Sequence, residues 1–200
     1  YRDARITRIY EGTNEINRLL IPGMLARRAV KGAIELIPAA RALQDELLGP
    51  PSLPEDDGLP FAEERRAITS FKKATVMALG LAMQTYGEKL TDQQEVLMHV
   101  ADMAMDAYAA ESALLRASAA QSHRWADANL HADAARVFVN DAGMRIEASA
   151  RQALPAIVDG DTLRVMLAGL RRLFKQTPIN TAVLRRQLAD AAVAKRRYPF

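Results

Sequence analysis

The 200-residue chain has no cysteine. Disulfides, thiolate zinc sites and cysteine nucleophiles are therefore excluded, although the redox compartment stays open. Aromatic residues make up only 6 % of a chain that is 50 % hydrophobic, so its core must be packed by alanine and leucine rather than by rings. No apolar run approaches ~18 residues, and nothing at the start resembles a signal peptide. Strand-like alternation is also missing. His99, His123 and His131 are too far apart for a helical pair and have no carboxylate placed with them as a ligand set, so they read as surface or packing histidines and no metal is assigned. The arginines lack interleaved aromatics, which argues against nucleic acid.

What the chain does have is helical periodicity. Asn14 to about Ile37 reads as a helix with apolar positions at Ile16, Leu19, Leu20, Met24, Val30, Ile34 and Ile37, and Pro22-Gly23 predicts a kink or break in it. A short helix is expected over Ala39 to Leu48. Gly49, Pro50, Pro51, Pro54, Asp56, Asp57, Gly58 and Pro60 then crowd together and mark a domain boundary. Beyond it, Ile68, Phe71, Thr75, Leu79, Ala82, Tyr86 and Leu90 lay one stripe along a helix from Ala62 to Leu90. Thr91 and Asp92 offer caps for a second long helix to Ser122, with Leu97, Val100, Ala104, Ala107, Tyr108, Leu114 and Leu115 inward. A third is expected from Ala126 to Leu154, terminated by Pro155. Two shorter helices follow, Asp161 to Phe174 and Thr181 to Lys195, the latter capped by Asn180 or Thr181. The fold class is all-α, an up-and-down bundle. The methionines mostly follow helix interiors and read as core filling. Trp125, between two helices, reads as a loop staple.

Charge is distributed unevenly. The net charge of the whole chain is +3, yet Arg171, Arg172, Lys175, Arg185, Arg186, Lys195, Arg196 and Arg197 face only Asp190 in the last thirty residues, a local surplus of +7. A solvated face or subunit contact is the first reading. An anionic membrane surface comes second, and the acidic parts of a nucleotide-bearing ligand third. The stretch Ala39 to Leu48, with one arginine and two acids, is a poor basic amphipathic anchor.

The segment with chemical content is Tyr1 to Ile21, and within it Tyr10-Glu11-Gly12-Thr13-Asn14. Thr13 and Asn14 are good N-cap residues ahead of Ile16, Leu19 and Leu20, so a helix is expected to start there, with Glu11 just before it. Gly12 gives the backbone freedom to turn and lets a ligand approach, and the helix amides beyond it can receive an anion or a polar cofactor edge. Taken alone, a Glu-Gly-Thr turn reads first as an ordinary solvated turn.

The run resembles the end of the flavin domain of the acyl-CoA dehydrogenase family, which reads approximately R-D-x-R-I-x-x-I-Y-E-G-T-N-E-I-x-R. Arg2, Asp3, Arg5, Ile6, Ile9, Tyr10, Glu11, Gly12, Thr13, Asn14, Glu15, Ile16 and Arg18 all fall in place. The helical tail and the ending Arg197 to Phe200 resemble the extra carboxy-terminal domain of the very-long-chain branch. The resemblance implies that Glu11 abstracts the α-proton of a fatty acyl-CoA thioester while the β-hydrogen leaves as hydride to FAD, giving the trans-2-enoyl-CoA of fatty acid β-oxidation. Such a base is held against the substrate carbon in a dry site that raises its pKa. Gly12 would lie against substrate, Thr13, Asn14 and Glu15 would contact FAD, and the Glu11 amide would help polarise the thioester carbonyl. Medium-chain relatives carry a CoA-holding arginine twelve residues after the glutamate. Gly23 stands there in this chain, which fits a long- or very-long-chain enzyme better.

Further expectations follow from the same resemblance. Residues 1–37 would be the end of the catalytic domain, 38–60 a linker and 61–200 a carboxy-terminal helical domain. Because the chain opens on Tyr1 and lacks the family's upstream domains, it reads as a carboxy-terminal fragment, inactive and without FAD by itself. The parent would pass electrons to an electron-transferring flavoprotein, form a homodimer and have possible peripheral membrane contact. It would be cytoplasmic if bacterial. The competing class is a non-enzymatic helical module for oligomerisation or for membrane or partner docking.

Overall fold

The computed structural model describes residues 2–50 and 58–200. Among these there are seven α-helices, two 3-10 turns and no strand: α1 (Asn14–Val30), α2 (Leu36–Leu48), α3 (Ala62–Tyr86), α4 (Gln94–Ser122), α5 (Ala128–Ile157), α6 (Gly160–Leu173) and α7 (Thr181–Lys195), with 3-10 turns at Asp3–Arg8 and Gly87–Asp92. Alanine sets the helix spacing. Ala107, Ala110 and Ala117 on α4 share one buried cluster with Ala132, Ala135 and Ala142 on α5, and side chains this small let two long helices pack closely over most of their length. The α4–α5 hairpin is the most extensive helix pair of the fold.

Helix α3 lies across this hairpin and buries the expected stripe, Ile68, Phe71, Thr75, Leu79 and Ala82. Phe71 is fully buried, and its ring stacks on Phe174 at 5.8 Å between centroids. Helix α6 closes the cluster with Met166, Leu170 and Leu173. A second cluster joins Ala26 of α1 to Leu90, Val96, Leu97, Ala153 and Ile157, with Leu19 packed against it. The stripe along α1 is therefore split. Leu19, Pro22, Ala26 and Ala29 face inward, while Ile16, Leu20, Met24 and Val30 stay exposed. On α4, Tyr108 and Leu115 point outward instead of inward, since they lie off the arc that Val100, Met103, Ala107 and Leu114 occupy. Among the methionines, Met144 is likewise exposed.

Several boundaries differ from those read in the sequence. Pro22 does not interrupt α1, which runs to Val30. Its missing N–H removes one helical bond, but its ring is fully buried on the packed face. Helix α2 starts at Leu36, placing Pro38 in its first turn, where an amide partner is absent anyway. This helix occupies part of the expected linker and packs on the bundle through Leu43. The other punctuation of that segment, Pro51 to Asp57, lies outside the described residues, as does Tyr1. Leu90, Thr91 and Asp92 form a 3-10 turn and do not cap α4. Pro155 sits in the last turn of α5, which continues to Ile157. No described helix is long and apolar enough to cross a membrane.

The basic carboxy-terminal segment is partly structural. Arg172 donates to the carbonyls of Leu47, Gly49 and Pro50 at 3.2, 2.7 and 3.0 Å, which satisfies orphan acceptors at the end of α2. Arg185 pairs with Asp141, and Lys195 with Asp127 at 3.8 Å. Trp125 staples the α4–α5 turn as expected. Two histidines flank it: His123 stacks on the indole at 6.4 Å, and buried His131 meets it edge-on at 5.5 Å.

Candidate active site

Two consecutive residues with positive φ build the turn ahead of α1, Glu11 at 58° and Gly12 at 90°. Glycine adopts such angles freely, whereas a glutamate held there costs about 1 kcal/mol. Strain of this kind marks the one carboxylate of the turn. Glu11 is exposed, so the described residues do not by themselves form the dry pocket a base of this kind needs.

The turn is fastened to the helix behind it. The Thr13 hydroxyl accepts from the Ile16 amide at 3.3 Å, making Thr13 the N-cap of α1. Asn17 folds back so that its side-chain amide donates to the Gly12 carbonyl at 2.9 Å. A Cβ on Gly12 would meet Asn17 Oδ1 at 2.9 Å and push that side chain aside, but it is the angle that calls for glycine. Glu15 is exposed, yet its carboxyl is held below the ordinary carboxylate range, chiefly by its own backbone N–H, then by the Thr13 hydroxyl, with Arg18 and Arg8 adding charge. This carboxylate in the first turn also suits the helix dipole.

Glu11, Gly12, Thr13, Asn14 and Glu15 are thus one continuous corner: a strained carboxylate, a glycine and a capped helix start. The Asn14 amide and side chain make no hydrogen bond among the described residues, leaving donors at a helix N-terminus that fit a polar, anion-bearing cofactor. Two participants escaped sequence reasoning. Asn17 carries no motif signal, and Asp102 lies 84 residues from its partner Arg18, to which it is joined at 2.6 Å. Next to this pair, Asp106 accepts from both Nε and Nη2 of Arg145 and, chiefly through these bonds, raises the guanidinium's pKa. Both pairs line an open cleft with Met105, Ala148 and Ser149.

An all-helical bundle carrying such a corner at its edge defines the class. Residues 70–172 match the family model described as "Acyl-CoA dehydrogenase, C-terminal domain", and the chain belongs to the acyl-CoA dehydrogenase family. It is 41 % identical, over 99 % of its length, to a protein of Bacillus subtilis (strain 168) described as "Probable acyl-CoA dehydrogenase". Its fold matches the crystal structure of an acyl-CoA dehydrogenase from Bacillus anthracis complexed with FAD, with a TM-score of 0.90 and 39 % identity over 99 % of the chain. The chain spans a third (33 %) of the length of each of these two proteins.

Proposed function

We propose that the chain is the carboxy-terminal part of an FAD-dependent acyl-CoA dehydrogenase in which Glu11 is the base that removes the α-proton of a fatty acyl-CoA. The observation that carries this reading is the corner itself: a glutamate strained at φ 58°, followed by a glycine at φ 90° and a threonine-capped helix start, in a chain of this family. Glu11 would take the proton on its carboxylate. Gly12, with no side chain, would let the acyl thioester lie against the backbone, and the Glu11 amide would donate toward the thioester carbonyl. Asn14, with Thr13 and Glu15 beside it, would hold the polar edge of the flavin. FAD, when bound, accepts the β-hydrogen as hydride. Because Glu11 is exposed here, the remaining polypeptide of the parent must supply the dry walls that raise a carboxylate's pKa.

Long- or very-long-chain substrates are the class we propose, supported by Gly23 at the position of the medium-chain relatives' arginine. The product is the trans-2-enoyl-CoA of β-oxidation, and the electrons pass on to an electron-transferring flavoprotein. A homodimer is part of the proposal, supported by the exposed Tyr108 and Leu115 two turns apart on α4. Those two side chains also favour the second reading, a helical oligomerisation module. Glu11→Gln in the full-length protein should retain yellow FAD and lose acyl-CoA turnover. Turnover at the wild-type rate would remove Glu11 from the mechanism.

A further inference from the structure

We propose that Asp102, in the carboxy-terminal helical bundle, is a positioning residue for the Glu11 turn and acts through Arg18. From Arg2 to Asn17 every side-chain or turn hydrogen bond among the described residues is local to that segment. Arg18 is where this ends. Its Nε donates to Asp102 Oδ1 at 2.6 Å across the α1–α4 interface, and its Nη1 reaches the Asn14 carbonyl at 3.5 Å. Asn17 meanwhile holds the Gly12 carbonyl. A chain of contacts therefore runs from the turn, through the first turn of α1, to one carboxylate on α4.

Apolar packing does not do this job. The inward face of α1 begins at Leu19 and continues through Pro22, Ala26 and Ala29, whereas Ile16 is 59 % and Leu20 52 % exposed. The core therefore fixes the helix axis, and the ion pair fixes the end that carries Glu11. Arg145 would be the competitor for Asp102, but Asp106, one turn along α4, engages it through both Nε and Nη2. Asp102 is left to Arg18. The pair is half-exposed, at 31 % and 40 %, so its contribution to global stability is small. Its leverage is on geometry, because misplacing a reacting group by about 1 Å costs on the order of 100-fold in rate.

This inference rests on Glu11 being the base, and its test keeps the two apart. In the full-length holoenzyme, Asp102→Asn should lower kcat by about 5- to 20-fold while KM and bound flavin stay within about twofold. Hydrogen exchange of the amides from Thr13 to Arg18 should accelerate by about 2- to 5-fold. The charge swap Arg18→Asp with Asp102→Arg should recover most of both losses. Wild-type kcat and wild-type exchange in Asp102→Asn would overturn the proposal, as would a swap no better than its worse single variant. If Glu11→Gln turns over normally, the base assignment fails and the exchange measurement alone decides whether Asp102 fixes the turn.

Discussion

Gly80 and Gly23 both lie inside helices, yet alanine at the two positions should shift stability in opposite directions. In each helix the change removes glycine's excess backbone entropy, a gain of about 0.5–1 kcal/mol. At Gly23 a Cβ would find nothing within 4 Å, so that gain stands. At Gly80 the new Cβ would lie 2.8 Å from the Cβ of Ala40, inside the 3.4–4 Å of ordinary contact. The obstacle is a methyl fixed to the backbone of α2, so the whole helix must retreat by about 0.6 Å, carrying buried Leu43 with it. Overpacking of this kind costs about 1–3 kcal/mol, which exceeds the gain and leaves a net loss of about 0.5–2 kcal/mol. Thermal and urea unfolding of the chain should show Gly80→Ala lowering Tm by about 1–8 °C and Gly23→Ala raising it by about 1–4 °C. Combining Gly80→Ala with Ala40→Gly should cost less than the sum of the single changes by about 1 kcal/mol. If Gly80→Ala raised Tm as Gly23→Ala does, the close docking of α2 on α3 would be refuted.

Phe71→Ala removes a ring stacked on Phe174 and wedged 3.2 Å from where a Cβ of Gly143 would sit. It should destabilise the bundle by about 3–5 kcal/mol in chemical denaturation. Thr13→Ala removes the only hydroxyl cap of α1 and should cost about 1 kcal/mol, with faster amide exchange at Ile16. Glu15 has a folded-state pKa below its unfolded value of about 4.3, so its stabilisation is present above that pH and fades as pH falls through the folded pKa. Carboxyl NMR should place its midpoint below that of an unfolded reference peptide. A midpoint at or above the reference would remove the Thr13 and backbone bonds from the account.

The bundle was legible because its long helices keep a strict stripe: Ile68, Phe71, Leu79 and Ala82 on α3 are buried as their spacing requires. Where sequence reading erred, a tertiary contact had reversed a local rule. Pro22 predicts a kink or break in α1, yet the helix runs through it, and burial of its ring offsets one lost hydrogen bond. Pro155 stays in its helix because the last turn of α5 ends in buried Ile157. Ile16, Leu20 and Met24 have the spacing of a core face and stand exposed, since spacing alone cannot say which of two apolar arcs finds a partner. The corner from Glu11 to Glu15 was legible as a motif, and the N-cap at Thr13 formed as its residue type dictates. Asp102 was not, because nothing local links positions 84 residues apart.

The central claim is that Glu11 starts the reaction by taking a proton. Anaerobic mixing of the full-length enzyme with a long-chain acyl-CoA isolates that half-reaction and follows it as bleaching of the flavin's visible absorbance. The wild type should bleach rapidly, and Glu11→Gln, with the same flavin content and the same affinity for acyl-CoA, should not bleach on that timescale. Bleaching of Glu11→Gln at the wild-type rate would contradict the account.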